Sequence, residues 1–229
     1  MGKKVSLEQV NILNQEVDPN ASLEELFTYL LEKDLGTVVF STSIGQEDQV
    51  LTHFIATKKL PIEIFTLDTG RFFQETYDVL ASTKNKYKVA IKAYAPNHQQ
   101  LAELVTAKGP NSFYDSVENR KECCTIRKIE PLKRALKGKN VWITGLRKTQ
   151  SQNRAELHLF SYDENFDIIK FNPLFNIFYN SILCIAEFVI GDFLKNGSNV
   201  LWFGALSPPF AWGTHVVWVQ ISLRHKQIP

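Results

Sequence analysis

Two adjacent cysteines in a basic stretch carry the most chemistry in this 229-residue chain. They lie in Arg120-Lys-Glu-Cys-Cys-Thr-Ile-Arg-Lys-Ile-Glu-Pro-Leu-Lys-Arg134. Vicinal cysteines point in different directions and do not easily close a relaxed disulfide with each other. Arg120, Lys121, Arg127, Lys128, Lys133 and Arg134 surround Cys123 and Cys124, and such cations would stabilise thiolates or a negatively charged iron–sulfur cluster. The plainer alternative is a pair of core cysteines at the start of a helix whose basic face is solvated. A second set of residues suits an anion. Ser41, Ser43, Gly45 and Asp48 follow the apolar run Thr37–Phe40, Asp68 and Arg71 stand in Leu67-Asp-Thr-Gly-Arg71, and Arg147 and Arg154 flank Lys148-Thr-Gln-Ser-Gln-Asn153. A guanidinium offers a planar fork to phosphate or sulfate. Taken singly, each arginine is equally well read as a surface salt-bridge partner.

The elements that must position these groups are legible from composition. Thr37–Phe40 is β-branched and aromatic, as in a buried strand, and from Glu47 a helix places Val50, Leu51, Phe54 and Ile55 on one face. A strand, a small polar loop and a helix in that order form an anion cradle, because loop N–H groups and the positive helix end face the turn. An ordinary strand-to-helix turn has the same outline. Ile62–Leu67, Lys88–Tyr94, Val141–Thr144 and Phe166–Phe171 read as further strands, with a helix from Phe72 to Lys84. Helices between most strands predict a mainly parallel, doubly wound α/β sheet, with the candidate loops at its carboxyl edge. Ser22 with Glu25 predicts a capping box ahead of Leu26, Tyr29, Leu30 and Leu31.

Composition narrows the class. A net charge of +2 argues against a general nucleic-acid binder, and a hydrophobic content of 44% permits a sizeable core. No run reaches the roughly 18 apolar residues of a membrane span. Met1-Gly2-Lys3-Lys4 leads into polar sequence without a signal-peptide core, so a cytoplasmic location is expected. Met1-Gly2-x-x-x-Ser6 matches a myristoylation pattern that is short enough to arise by chance. Three cysteines, two adjacent, are not a secreted disulfide framework and in a reducing compartment read as metal-binding or catalytic.

Taken together, the motifs are specific. Ser-x-Gly-x-x-Asp at Ser43–Asp48, Leu-Asp-Thr-Gly-Arg at Leu67–Arg71, Cys-Cys-x-x-Arg-Lys-x-x-Pro-Leu at Cys123–Leu132, Thr-Gly-Leu-Arg-x-x-Gln-Ser-x-x-Arg at Thr144–Arg154 and Lys-x-Asn-Pro-Leu at Lys170–Leu174 occur in order. The series resembles the assimilatory sulfonucleotide reductases (adenylyl-sulfate and phosphoadenylyl-sulfate reductases), and in particular their iron–sulfur branch. The resemblance implies a PP-loop fold of the adenine nucleotide alpha hydrolase-like type. It also implies thioredoxin-dependent reduction of adenylyl sulfate to sulfite and AMP in sulfate assimilation, with thioredoxin or glutaredoxin as partner. In that scheme the loop at Ser41–Asp48, Asp68, Arg71, Arg147 and Arg154 hold the substrate. Lys128 tunes the field at the sulfate, and Cys123 and Cys124 are two ligands of a [4Fe–4S] cluster. A homo-oligomer is left open.

The resemblance stops after Asn176. The family's later Cys-x-x-Cys pair and its C-terminal cysteine nucleophile have no counterpart here, and Cys184 is the one further cysteine, inside the apolar run Ile177–Ile190. Residues 177–229 hold two acidic and three basic side chains and three of the four tryptophans. The chain therefore divides into an N-terminal segment at 1–19, a sulfonucleotide-binding domain at 20–176 and an atypical tail at 177–229, of frameshifted or divergent character. The cluster is expected to be incomplete and this polypeptide inactive. A phosphoadenylyl-sulfate reductase, another PP-loop ATP pyrophosphatase and a non-catalytic nucleotide-binding remnant are the alternatives.

Overall fold

The computed structural model describes residues 7–151, 154 and 156–177. Residues 1–19, set apart above as an N-terminal segment, contribute α1 (Leu7–Glu16), whose Val10 and Leu13 are buried in the main core. α2 (Leu23–Glu32) starts at the capping box expected at Ser22. The Ser22 hydroxyl accepts from the Glu25 N–H, and the Glu25 carboxylate accepts from the Ser22 N–H at 2.8 Å. Leu26, Phe27 and Leu30 recur at helical spacing and form its buried stripe.

The chain then alternates between strand and helix. β1 (Val38–Ser41) leads into α3 (Gln46–Thr57), β2 (Glu63–Leu67) into α4 (Gln74–Tyr87), and β3 (Ile91–Tyr94) into α5 (His98–Lys108). After α6 (Val117–Cys124) and α7 (Glu130–Leu136), β4 (Val141–Ile143) completes the central strands, and β5 (Phe160–Asp163) and β6 (Ile168–Phe171) follow. The sheet order is β3-β2-β1-β4-β6-β5, parallel throughout except for antiparallel β5 against β6. This is the doubly wound, mainly parallel α/β sheet that the sequence predicted. Helical crossovers between parallel strands cover both faces, so the strands are buried on both sides: Val39, Phe40, Phe65, Val141, Ile143, Ile169 and Phe171 are all inaccessible to solvent. Each such side chain contributes roughly 1.5–3 kcal/mol by leaving water. Among the described residues, no helix is long and apolar enough to cross a membrane.

Two details differ from the predicted elements. Lys88, expected to open β3, instead ends α4 in the left-handed conformation (φ +53°), and the strand begins at Ile91. β5 was not anticipated. It is an edge strand four residues long, and Asn14 of α1 closes it, its Nδ2 donating to the Phe160 carbonyl at 2.8 Å while its Oδ1 accepts from the Phe160 N–H at 2.9 Å. That pairing lies 146 residues apart in sequence, beyond the reach of local pattern.

Strand order reverses beside β1, which sits between β2 and β4. In open α/β sheets the crevice at such a switch point, outside the carboxyl ends of the strands, is where ligands bind. The loops after β1, β2 and β4 all open onto it.

Candidate anion site at the carboxyl edge of the sheet

The loop after β1 is shaped by its own carboxylate. Asp48, in the first turn of α3, reaches back so that one oxygen accepts from both the Ser43 N–H and the Ser43 hydroxyl, each at 2.6 Å. Ile44 lies in the left-handed region at φ +67° with its side chain wholly buried, a costly conformation for a β-branched residue. Gly45 is the N-cap of α3 and has no side chain to cap it, which leaves the positive helix end facing the loop. Ser41 ends β1, and its hydroxyl accepts from Trp142 Nε1 at 2.8 Å.

The loop after β4 packs directly on this turn. A Cβ at Gly145 would sit 2.2 Å from the second oxygen of Asp48, so only glycine permits the approach. Burial pushes the Asp48 carboxyl up from 3.8 to about 6; the Ser43 hydrogen bonds oppose the rise, and the neighbouring Glu47 charge adds to it.

Arg147 stands in this β4 loop, but its guanidinium is not presented to a ligand as an open fork. Its Nη2 and Nε donate to Glu47 Oε1 at 2.8 and 3.0 Å, and both side chains are under one-tenth exposed. Gln150 Nε2 donates to the same oxygen at 3.1 Å, and Arg147 Nη1 donates to the Thr149 hydroxyl at 2.8 Å. Arg154 is half-buried and donates to Gln150 Oε1, and burial lowers its pKa. Glu47 was not singled out in the sequence. No local signal marks it, because a carboxylate in the first turn of a helix reads equally well as a favourable charge at the helix start.

The loop after β2 contributes Asp68 and Arg71. Asp68 Oδ1 accepts from the Gly70 N–H and the Tyr77 hydroxyl, both at 2.8 Å. Burial and that bond raise the Tyr77 pKa. Arg71 is exposed, with its guanidinium 4.7 Å from the centre of the Phe113 ring and its Nη atoms 3.3 and 3.4 Å from Asn111 Oδ1.

The cysteines end α6, and the helix does not stop there. Thr125–Ile129 continues as a π-turn, in which the Glu130 N–H reaches back five residues to the Thr125 carbonyl, and α7 follows. Pro131 explains the widening, because it has no N–H and its ring would clash with the carbonyl four residues earlier, at Arg127. Cys123 is buried, Cys124 is half-buried, and both thiols are free. Burial raises the Cys124 pKa, while the charge of the exposed Lys128 pulls it down. Arg127 is buried and bonds the loop after β2, its Nη1 donating to the Thr69 carbonyl at 2.6 Å.

A four-iron cluster needs four ligands. Among the described residues, no group of three or more His, Cys, Asp or Glu side chains is placed to hold a metal ion. Cys123 and Cys124 would supply two, so the described residues do not complete such a site. Cys184 lies outside the described residues.

Comparison with known proteins places the fold in a family. Residues 37–184 match the phosphoadenosine phosphosulfate reductase domain, which is more than half of the chain. The chain belongs to this family. The motif series closes at Leu174, and the resemblance was expected to stop after Asn176; the family match runs further, to Cys184. Among curated relatives, the adenosine 5'-phosphosulfate reductase of Allochromatium vinosum is 47% identical over 142 residues, covering 62% of this chain and 56% of that protein. The protein of the same name from Agrobacterium fabrum is 44% identical over 139 residues (61% and 54%), and that from Neisseria meningitidis serogroup A is 45% identical over 138 residues (60% and 57%). The match thus spans about half the length of these relatives. A solved phosphoadenylyl-sulfate reductase from Candida auris superposes with a TM-score of 0.67 at 24% identity, covering 85% of this chain and 90% of that one, which shows the shared fold.

Proposed function

We propose that this chain carries the nucleotide-binding unit of an adenylyl-sulfate reductase, an enzyme that converts adenylyl sulfate to sulfite and AMP with a thioredoxin- or glutaredoxin-type dithiol. The observation that supports it most is the meeting of two motifs at one sheet edge. The Ser43–Asp48 loop opens at the switch point, and the turn bearing Cys124, Arg127 and Lys128 packs on the neighbouring Asp68–Arg71 loop. The relatives named adenosine 5'-phosphosulfate reductase point the same way.

In this reading, the loop N–H groups and the open end of α3 receive the nucleotide's phosphate. Arg71 and Arg154 supply charge-assisted bonds to the phosphosulfate. A thiolate would attack the sulfur of the bound substrate; the S–O bond breaks and AMP leaves with that electron pair. The cysteine S-sulfonate then yields sulfite when a reduced dithiol attacks its cysteine sulfur, the dithiol ending as a disulfide. No step is assigned to a cluster.

Calorimetry with adenylyl sulfate, its 3′-phosphorylated analogue and AMP tests the binding half. The expected order places adenylyl sulfate ahead of the phosphorylated form, and Arg154→Ala should weaken it by about 1.5–3 kcal/mol. No binding of any of the three, or magnesium-dependent ATP consumption, would replace this reading with that of a different nucleotide enzyme. A dithiol-coupled sulfite assay on the 229-residue polypeptide is expected to show no turnover, because the sole cysteine after the Cys123–Cys124 pair is Cys184. Sulfite release that disappears in Cys184→Ser would instead identify the attacking thiol.

A further inference from the structure

Arg127 is a buried cation that pairs with no carboxylate among the described residues. It is 7% exposed, and its Nη1 donates to the Thr69 carbonyl at 2.6 Å. Its Nε–H has no hydrogen-bond partner among the described residues. Taking a guanidinium out of water is unfavourable unless its charge and donors are matched, so a residue that serves only as filler would not be an arginine. The π-turn is what sends it inward. Lys128, the next residue, remains exposed beside Cys124, while Arg127 passes under the loop after β2.

Its contact falls one residue before the sharpest point of that loop. Gly70 holds φ +67°, and a Cβ there would lie 3.5 Å from Arg127 Nη1, so the guanidinium sits directly against the turn. Arg71 follows at once. We propose that Arg127 is a positioning residue, which pins the Thr69–Gly70 turn and thereby aims Arg71 into the anion site. This rests on the reading that Arg71 meets the phosphosulfate of a bound sulfonucleotide. It joins the cysteine-bearing helix to the substrate loop through one hydrogen bond, so a shift in the π-turn is transmitted to Arg71.

Hydrogen exchange on the unliganded chain tests the pin without any ligand. Losing a charge-assisted bond should raise exchange at the Gly70 amide about tenfold in Arg127→Gln, with the amides of β1 and β4 unchanged. Arg127→Lys, which keeps one charged donor, should recover most of that protection. Adenylyl sulfate binding then tests the coupling to Arg71. Arg127→Gln should weaken binding about tenfold in the parent and less than about twofold in an Arg71→Ala background. Additive losses, or exchange that rises equally across β1, β4 and the loop, would make Arg127 a structural plug and overturn the proposal. If the parent binds no adenylyl sulfate, the functional reading fails, while the exchange result still decides the pin. If Arg127→Gln does not fold, Arg127→Lys decides alone: intact protection at Gly70 supports the pin, and protection lost as uniformly as in β1 and β4 refutes it.

Discussion

Arg147 and Arg127 are both buried arginines, and both reach their positions from motifs at the carboxyl edge of the sheet, yet their surroundings are opposite. Arg147 meets Glu47 with two donors to one oxygen, and Gln150 adds a third bond to that oxygen. Arg127 meets a backbone carbonyl and leaves one donor unmatched. The β4 loop is thus locked onto the start of α3 by a pair that is electrically neutral overall. The cysteine-bearing turn instead carries positive charge that no carboxylate among the described residues pairs with, Arg127 below and Lys128 outside. A closed, neutral lock fixes a shape, whereas an open positive turn is suited to attract an anion. The anion-binding groups are therefore better sought on the loop after β2 and the π-turn than at Arg147.

That contrast is broken most severely at the lock. Arg147→Ala would strand Glu47 in the interior, and removing one member of a buried pair typically costs 3–5 kcal/mol. Urea denaturation should show a loss in about that range. The paired change Glu47→Gln with Arg147→Met should recover most of it, because neither member then leaves an unmatched buried charge. A loss below about 1 kcal/mol in Arg147→Ala would mean that the guanidinium is solvated and open to a ligand, and the distinction between the two arginines would collapse.

Asp48 sharpens the same comparison from inside the loop. It is buried, it is served by Ser43, and among the described residues no cation pairs with it in the way Arg147 pairs with Glu47. Its folded pKa, about 6, lies above its ordinary 3.8. Between those values the folded chain binds more protons than the unfolded one, so this group's contribution is most favourable below about pH 4 and declines as pH rises through about 6. Asp48→Asn keeps an acceptor for Ser43 and removes the titration. The variant should gain on the parent by on the order of 3 kcal/mol between pH 4 and pH 7, read from denaturation at each pH. A pH-independent difference would show that the Asp48 carboxyl titrates in the folded loop as it does in the unfolded chain, so that burial does not favour its protonated form.

The sequence disclosed some of this and concealed the rest for physical reasons. Strand composition and alternating helices were enough for the parallel sheet, and Ser22 with Glu25 was enough for a cap, because both are local signals. The motif series marked the three loops at the sheet edge. It did not show that Arg147 has a partner, since Glu47 lies 100 residues away and its acidity reads equally well as a favourable charge at a helix start. Likewise, Arg127 and Lys128 are neighbours of the same sign, and no pattern tells which one turns inward. That is decided by the π-turn, whose cause, Pro131, is visible in the sequence while its consequence depends on packing. β5 was missed because its closing partner, Asn14, sits at the far end of the chain.

The smallest expected effect concerns Lys128, the exposed half of the positive turn. Burial holds the Cys124 thiol above its ordinary range, and Lys128 partly offsets this. Lys128→Gln should therefore raise the Cys124 pKa further and slow its alkylation by iodoacetamide near pH 8, since the thiolate is the reactive form. Lys128 is solvent-exposed, so its influence is screened and the slowing should be only about two- to fivefold at low salt. It should shrink towards unity in 1 M salt, where charges farther apart than about 3 Å no longer influence each other strongly. Cys123, buried beside it, provides the internal reference and should react slowly in both forms. A slowing that survives high salt would place the Lys128 ammonium against the thiol rather than out in solvent. The outer face of the turn would then be as closed as the Glu47–Arg147 lock.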